Sequence, residues 1–273
     1  MKYPSSPEVG LVGGKFSDGD PLNGVPASLD PAEHMNAITD ELLAVITACG
    51  LVPSESDVTQ LLKAIQSEKL TGGRLLGIQV FTASGIYTPT VGTRKVRVRA
   101  QGAGAGRGGL PATTAGQCSI ASAGGAGSYG EGWYTAGFSG VAVTVGGAGI
   151  AGGAGATSGG VGGTSSFGAL LSCPGGQPSA LASAISVFPV SGGYGQASGD
   201  PAGANIIGAA GCGSPQYLCV NSTTANGFTE PTASPIFGVS FGSGAVGGFN
   251  PPSAAAQTGG VGRQGVVIIE GYA

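Results

Sequence analysis

Side chains able to do acid–base or nucleophilic chemistry are few in this 273-residue chain, and their spacing argues against catalysis. A Ser-His-Asp or Cys-His site would have to use His34, the sole histidine, which falls in the first turn of an expected helix and reads as a solvated surface residue. Zinc sites built on His and Cys fail for the same reason. Between residues 108 and 262 the only charges are Glu131, Asp200 and Glu230. Two such carboxylates could cleave a glycosidic bond, but no motif supports that use. Gly104-x-Gly106-x-x-Gly109 matches the dinucleotide fingerprint, and Glu131 follows at a suitable distance. Leu110-Pro111 and the later glycines cannot build the helix that fingerprint needs. No lysine occurs after Lys95, which removes a phosphate-binding P-loop. The chain reads as a non-enzyme with no cofactor and no metal.

The charge distribution points the same way. Charged residues are 9% of the chain, against about 25% in globular proteins. Residues 1–76 hold ten acids and five bases, while Arg94, Lys95, Arg97, Arg99 and Arg107 form one basic cluster further on. That cluster could meet an anion; the blander expectation is a solvated strand face, or charges that meet acids of a partner subunit. With a net charge of −3, nucleic acid is not an expected partner. The N-terminal MKYPSSPEVG lacks the apolar core of a secretory signal, and no apolar run is long enough for membrane insertion. Five cysteines without a CxxC pair suggest reduced, buried thiols, a Cys212–Cys219 bridge being the alternative.

Residues 1–27 are rich in Gly, Pro and Asp and read as an extended arm. Residues 28–73 read as a small α-helical attachment and trimerisation region. Asp30 is placed as an N-cap, with Pro31 at the first helical position and Glu33 completing a capping box. Met35, Ile38, Leu42, Val45 and Cys49 then recur at heptad-like spacing, and Gly50 ends the helix. A second helix is expected from Ser54 as cap, with Asp57 at the box position and Val58, Leu61, Leu62 and Ile65 as its apolar stripe. Two helices this short need a partner surface.

Residues 74–273 read as a glycine-rich, mainly β domain. Ile78, Val80 and Thr82 alternate, as do Val96-Arg97-Val98-Arg99-Ala100, and the chain ends on Gly265-Val-Val-Ile-Ile-Glu-Gly-Tyr. Residues 265–272 are expected beside 94–101. Strands are also expected at 85–89, 132–137 and 141–145. Gly146, Gly149, Gly152 and Gly155 keep a three-residue period, the repeat of polyproline-II-type helices. Glycine at every third place lets neighbouring backbones approach until their N–H and C=O groups bond. Trp133, Phe167, Leu170 and Leu171 flank this run and give it something to pack on.

The N-terminal GDPLNGVPASLDPAEHMNAITDELLAVITACGLVPSESDVTQLLKAI resembles the head of tail-fibre proteins of tailed bacteriophages, especially those infecting Pseudomonas-like bacteria. FTASGIYTPTVGTRKVRVRAQGAGAG, GAGSYGEGWYTAGFSGVAVTVGGAG, GGTSSFGALLSCPGG and GRQGVVIIEGYA resemble the glycine-rich C-terminal domain of such fibres. The resemblance spans the chain outside about 175–260. It implies a virion protein, made in the host cytoplasm, that docks to tail or baseplate proteins through residues 1–70, forms a homotrimer, and presents its C-terminal part to a bacterial surface receptor (a pilus, a polysaccharide or an outer-membrane protein). Similar adhesins stack polyglycine helices under variable loops. The interrupted runs here favour a mainly β domain with glycine-rich, partly polyglycine-II-like loops. Tyr194, Tyr217, Phe228 and Phe237, in the stretch outside the resemblance, are the candidate receptor anchors, since aromatic residues dominate binding surfaces. A structural tail connector is the main alternative, and an envelope polysaccharide hydrolase using Glu131 and Glu230 is the third.

Overall fold

The structure, a computed structural model, describes residues 7–67, 72–186, 190–191, 198–212, 218–221, 224–226 and 241–273. The chain divides into two compact units, Met1–Arg74 and Leu75–Ala273.

In the first unit the arm carries turns, among them one ending at Asn23-Gly24 as the sequence expects. Two short 3-10 turns, Pro7–Val9 and Pro21–Asn23, are tied together by Leu29 N–H to the Val9 carbonyl and Ser28 N–H to the Ser17 carbonyl, both at 2.8 Å. Asp20 caps the second turn by accepting from the N–H groups of Leu22 and Asn23, the local competition that makes Asp a turn residue. Helix α1 spans Ala32–Ala48. Its cap is Pro31 rather than Asp30: Pro31 is extended (φ −72°, ψ 145°), with no side-chain cap bond, and its carbonyl accepts from His34 and Met35. The proline ring suits the helix entrance, and the residue before it is pushed out of the helical region. The helix ends as expected. Gly50 is left-handed at φ 78°, its N–H reaches the Thr47 carbonyl, and Leu51 N–H reaches Ile46, the paired bonds of a Schellman ending.

Helix α2 spans only Gln60–Ile65, with Thr59 rather than Ser54 at the cap position, so it starts five residues later than the sequence suggests. The Gln60 side chain accepts from Ser54 N–H at 2.8 Å and donates to the Val52 carbonyl at 2.6 Å, which holds 52–59 as a loop. Asp57 spends one carboxylate oxygen on the Thr59 N–H and hydroxyl and the other on Lys63. Of the heptad residues, Met35 and Leu42 are exposed and Ile38, Val45 and Cys49 half-buried. Ile46 is the buried side chain of α1. His34 is half-buried rather than solvated, 5.0 Å from the Phe16 ring.

The second unit is mainly β. Its strands are β1 (Leu75–Phe81), β2 (Gly85–Ile86), β3 (Lys95–Gln101), β4 (Cys118–Ala121), β5 (Tyr129–Tyr134), β6 (Ala142–Thr144), β7 (Ser165–Phe167) and β8 (Leu171–Cys173). These are followed by β9 (Ser183–Ile185), β10 (Val190–Ser191), β11 (Ala202–Gly203), β12 (Ile206–Ala209), β13 (Leu218–Asn221), β14 (Thr224–Asn226), β15 (Gly248–Asn250) and β16 (Val266–Tyr272). Every strand pair among the described residues is antiparallel. Among the described residues one sheet has the order β1-β16-β3-β5-β12, a second β11-β8-β7-β6-β2, and two further sheets have three strands each. The expected pairing of the last strand with the basic strand is present, with Glu270 opposite Arg97 and Tyr272 opposite Lys95.

Alternation packs the two large sheets together. Val96, Val98 and Ala100 of β3 and Val267 and Ile269 of β16 meet Val143, Phe167, Leu171 and Cys173 of the second sheet. Tyr134 joins them and donates its hydroxyl to the Leu170 carbonyl at 2.8 Å. Burying Phe167 and Tyr87, packed edge to face at 5.9 Å, supplies the large aromatic area this core needs, each ring adding about 1.5–3 kcal/mol.

Past the ends of these strands the bonding changes from strand ladders to a three-residue period. In segment 102–110, Ala103, Gly106 and Gly109 donate to Gly163, Gly160 and Thr157, and Gly104, Arg107 and Leu110 donate to Arg263, Gly260 and Gln257. Gly149 and Gly152 donate to Gly104 and Arg107 of the same segment. Segments 124–128, 174–177 and 242–245 complete its surroundings through Ala105 to Gly125, Gly176 to Ala103, and Ala245 to Ala105. The six surrounding segments also bond to one another in a closed ring: 157–163 to 146–153, then 257–265, 242–245, 124–128, 174–177 and back to 157–163. Glycine is required here by proximity. A Cβ at Gly104 would overlap the Ser243 carbonyl, and one at Gly162 the Ala103 carbonyl.

Candidate binding face

The outer face of the first large sheet collects half of the second unit's charged residues. With Val96, Val98 and Ala100 turned inward, β3 presents Lys95, Arg97 and Arg99 outward along its centre. The register sets Arg97 between Glu270 of β16 and Trp133 of β5, and Arg99 between Ile268 and Glu131. On the flanks, β1 adds Ile78 and Val80 and β12 adds Ile207, all exposed.

The arginines are committed to acids of their own chain. Arg97 Nε donates to Glu131 Oε1 at 2.7 Å and its Nη1 lies 3.5 Å from Glu270 Oε2, while Arg99 Nη2 donates to Glu270 Oε1 at 2.6 Å. Two hydroxyls finish the network, Tyr129 to Glu131 Oε2 at 3.0 Å and Tyr272 to Glu270 Oε2 at 2.9 Å. The expected solvated stripe is thus corrected for Arg97 and Arg99, whose acids lie within the chain. The Arg97 hydrogen bond, opposed by partial burial and aided by Tyr129, holds the Glu131 carboxyl below the usual range, and the same bond raises the Arg97 guanidinium. Burial first, then the bond to Glu131, pushes the Tyr129 hydroxyl up to about 12. A carboxylate held ionised by arginine is a poor proton donor at neutral pH.

Beside this network lies a cation–aromatic cluster. The rings of Trp133 and Tyr272 are 5.4 Å apart, tilted by 35°. Lys95 Nζ sits 5.9 Å from both centroids, and the Arg97 guanidinium 5.8 Å from Trp133, distances at which a cation is attracted to a ring face. Trp133 remains 42% exposed.

No known protein family matches this chain, and no curated protein matches it. Among the described residues no group of His, Cys, Asp and Glu is arranged to hold a metal ion, and no helix is long and apolar enough to cross a membrane.

The four aromatic anchors expected from the sequence, Tyr194, Tyr217, Phe228 and Phe237, lie outside the described residues, as does Glu230. Asp200 is exposed. Glu270 and Tyr272 belong to the face and carried no separate signal as single residues. Their signal was the register: antiparallel pairing of 265–272 with 94–101, followed one step further, sets an acid opposite an arginine and a tyrosine opposite a lysine.

Proposed function

We propose that this chain is a tail-fibre or baseplate adhesin of a tailed bacteriophage, a virion protein that binds a bacterial surface receptor without catalysing a reaction. The observation that carries the reading is the outer face around Trp133, where aromatic and charged side chains are fixed by mutual bonds on a sheet that continues into tightly packed glycine segments. That arrangement favours recognition: the groups are held still and the carboxylates are already paired. The three-residue bonding period supports reading the glycine segments as packed polyglycine-II-type helices, a stiff and nearly neutral support. Tyr194, Tyr217, Phe228 and Phe237 stay candidates for further receptor contacts.

The first unit is the attachment and trimerisation end. Met35 and Leu42 of α1 and Leu62 and Ile65 of α2 expose apolar surface, and Val58 beside them is 95% exposed. A cleft of about 650 Å³ lined by Leu42, Ile46, Val58 and Leu61 runs between the helices. Such a surface supports assembly through Met35, Ile38, Leu42, Val45 and Cys49, with tail proteins or with two further copies.

The test is adsorption of the labelled full chain to Pseudomonas-type cells. Saturable binding that disappears in strains lacking one surface structure, whether pilus, polysaccharide or outer-membrane protein, supports the adhesin. A connector role within the tail draws on a different observation: Ile150, Val161 and Val261 are exposed on three glycine segments, the one holding Ile150 bonding to each of the other two. It expects no cell binding and burial of that row in the assembled particle.

A further inference from the structure

We infer that Lys95, Trp133 and Tyr272 form a subsite for a carboxylated sugar, a uronate-type unit of a surface polysaccharide. This rests on the adhesin reading and names its ligand class.

The face carries one more cation than it has carboxylates. Three cations, Lys95, Arg97 and Arg99, stand in a row on β3, and two carboxylates, Glu131 and Glu270, take up the two arginines. Among the described residues no carboxylate pairs with Lys95. Its ammonium instead lies between two aromatic rings at the open end of the row. A group that docks over the half-exposed indole strips water from that ammonium, so it must bring a negative charge with it.

A uronate meets each requirement. The apolar C–H face of a pyranose ring covers the indole, and its single carboxylate reaches Lys95, whose compact ammonium suits one point charge rather than a bidentate partner. The sugar hydroxyls find acceptors in the carboxylate of Glu270 and the hydroxyl of Tyr272, which lie in the same network. A neutral sugar leaves Lys95 dehydrated and unpaired. A phosphate group brings the charge but no apolar C–H face to cover the indole. The second unit contains only four acids, Glu131, Asp200, Glu230 and Glu270. Another copy would have to bring the acidic N-terminal unit instead, and that is an outcome of the test.

Trp133 is the only tryptophan in the chain, so its fluorescence reports on the site directly. The full-length protein is titrated with tetragalacturonate, a glucuronate oligomer, neutral galactotetraose and tetraglutamate, with calorimetry for variants lacking Trp133. The expected result is a saturable fluorescence change with at least one uronate oligomer, at least tenfold weaker with galactotetraose and tetraglutamate. Lys95→Met, which keeps the aliphatic stem, weakens uronate binding at least tenfold, Lys95→Arg restores part of it, and Lys63→Met in the first unit has no effect. Trp133→Ala abolishes the heat of binding. Failure of both uronates, equal binding of tetraglutamate or of the neutral sugar, or unchanged affinity in Lys95→Met overturns the subsite. So does a Lys95→Met variant that loses self-association in sedimentation while keeping sugar affinity. Cell adsorption run in parallel separates the two claims. Adsorption equal in wild type and Lys95→Met, without any uronate response, removes the subsite and leaves the adhesin. A uronate response without adsorption does the reverse.

Discussion

The Gly104 N–H donates to the Arg263 carbonyl at 2.8 Å, and the same two segments repeat the bond three residues on, from Arg107 to Gly260 at 2.9 Å. This repeat, shared by the neighbouring segments, converts a glycine-rich sequence into an ordered body. Each segment gives up side chains so that its backbone polar groups can bond sideways, which answers the need to pair buried N–H and C=O groups without a strand ladder.

Single alanines measure how close that packing is. Gly104→Ala drives its Cβ into the Ser243 carbonyl, a backbone atom that cannot rotate away. The expected loss is at or above the ~1–3 kcal/mol usual for overpacking. Gly147, by contrast, has open space around its would-be Cβ, and Gly147→Ala is expected to be neutral or to stabilise by about 0.4–1 kcal/mol. Denaturant unfolding of the two variants gives the comparison, and equal destabilisation contradicts the packing.

The ionic network is a coupled unit. Arg97→Met leaves Glu131 and Glu270 with unmet demand at side chains only 13% and 9% exposed, and should cost about 2 kcal/mol. Adding Glu131→Gln should cost less than the sum of the single changes. A double-mutant cycle by chemical denaturation measures the difference, and strict additivity contradicts the pairing.

Acid should loosen the same network. The Glu131 carboxyl titrates lower in the folded protein, chiefly through Arg97, so folding favours its ionised form. Its stabilising contribution is complete above the ordinary glutamate range, about 4.3, and is lost as pH falls through the lower folded value. Stability measured from pH 6 to pH 2 should fall less steeply in Glu131→Gln than in the wild type. Equal acid limbs argue against the depressed value.

Thiol reactivity separates core from surface. Cys118 and Cys173 are buried, and burial pushes the Cys173 thiol up to about 12, whereas Cys212 is exposed and free. Alkylation followed by peptide mapping should label Cys212 well before Cys118 and Cys173, which should react only on unfolding. Early labelling of Cys173 contradicts the core assignment. The alternative of a Cys212–Cys219 bridge turns on the Cys219 side chain, which lies outside the described residues.

Much of the β framework can be read from residue alternation. Val96, Val98 and Ala100 announce an inward face, and the pairing of 265–272 with 94–101 follows from two strong strands near the ends of one unit. The glycine period at 146–155 is equally visible. Its neighbours are not, because bonds such as Gly104 to Arg263 join segments far apart in the chain and no side-chain pattern marks their register. Helix starts misled for a local reason: Pro31 displaced the Asp30 cap, and the Gln60 side chain kept Ser54 in a loop. The candidate face is half legible. The arginines stood out, but the acids meeting them, Glu131 and Glu270, come from separate strands and needed the sheet order.

The most direct measurement of the adhesin claim is competition. On the adhesin proposal, virions of a phage whose genome encodes the chain are mixed with host cells preincubated with the purified full chain, and free phage is counted over time. The account expects dose-dependent loss of adsorption, with Trp133→Ala blocking less well than the wild type. Unchanged adsorption at saturating protein, together with no saturable binding of the chain to the cells, would contradict it.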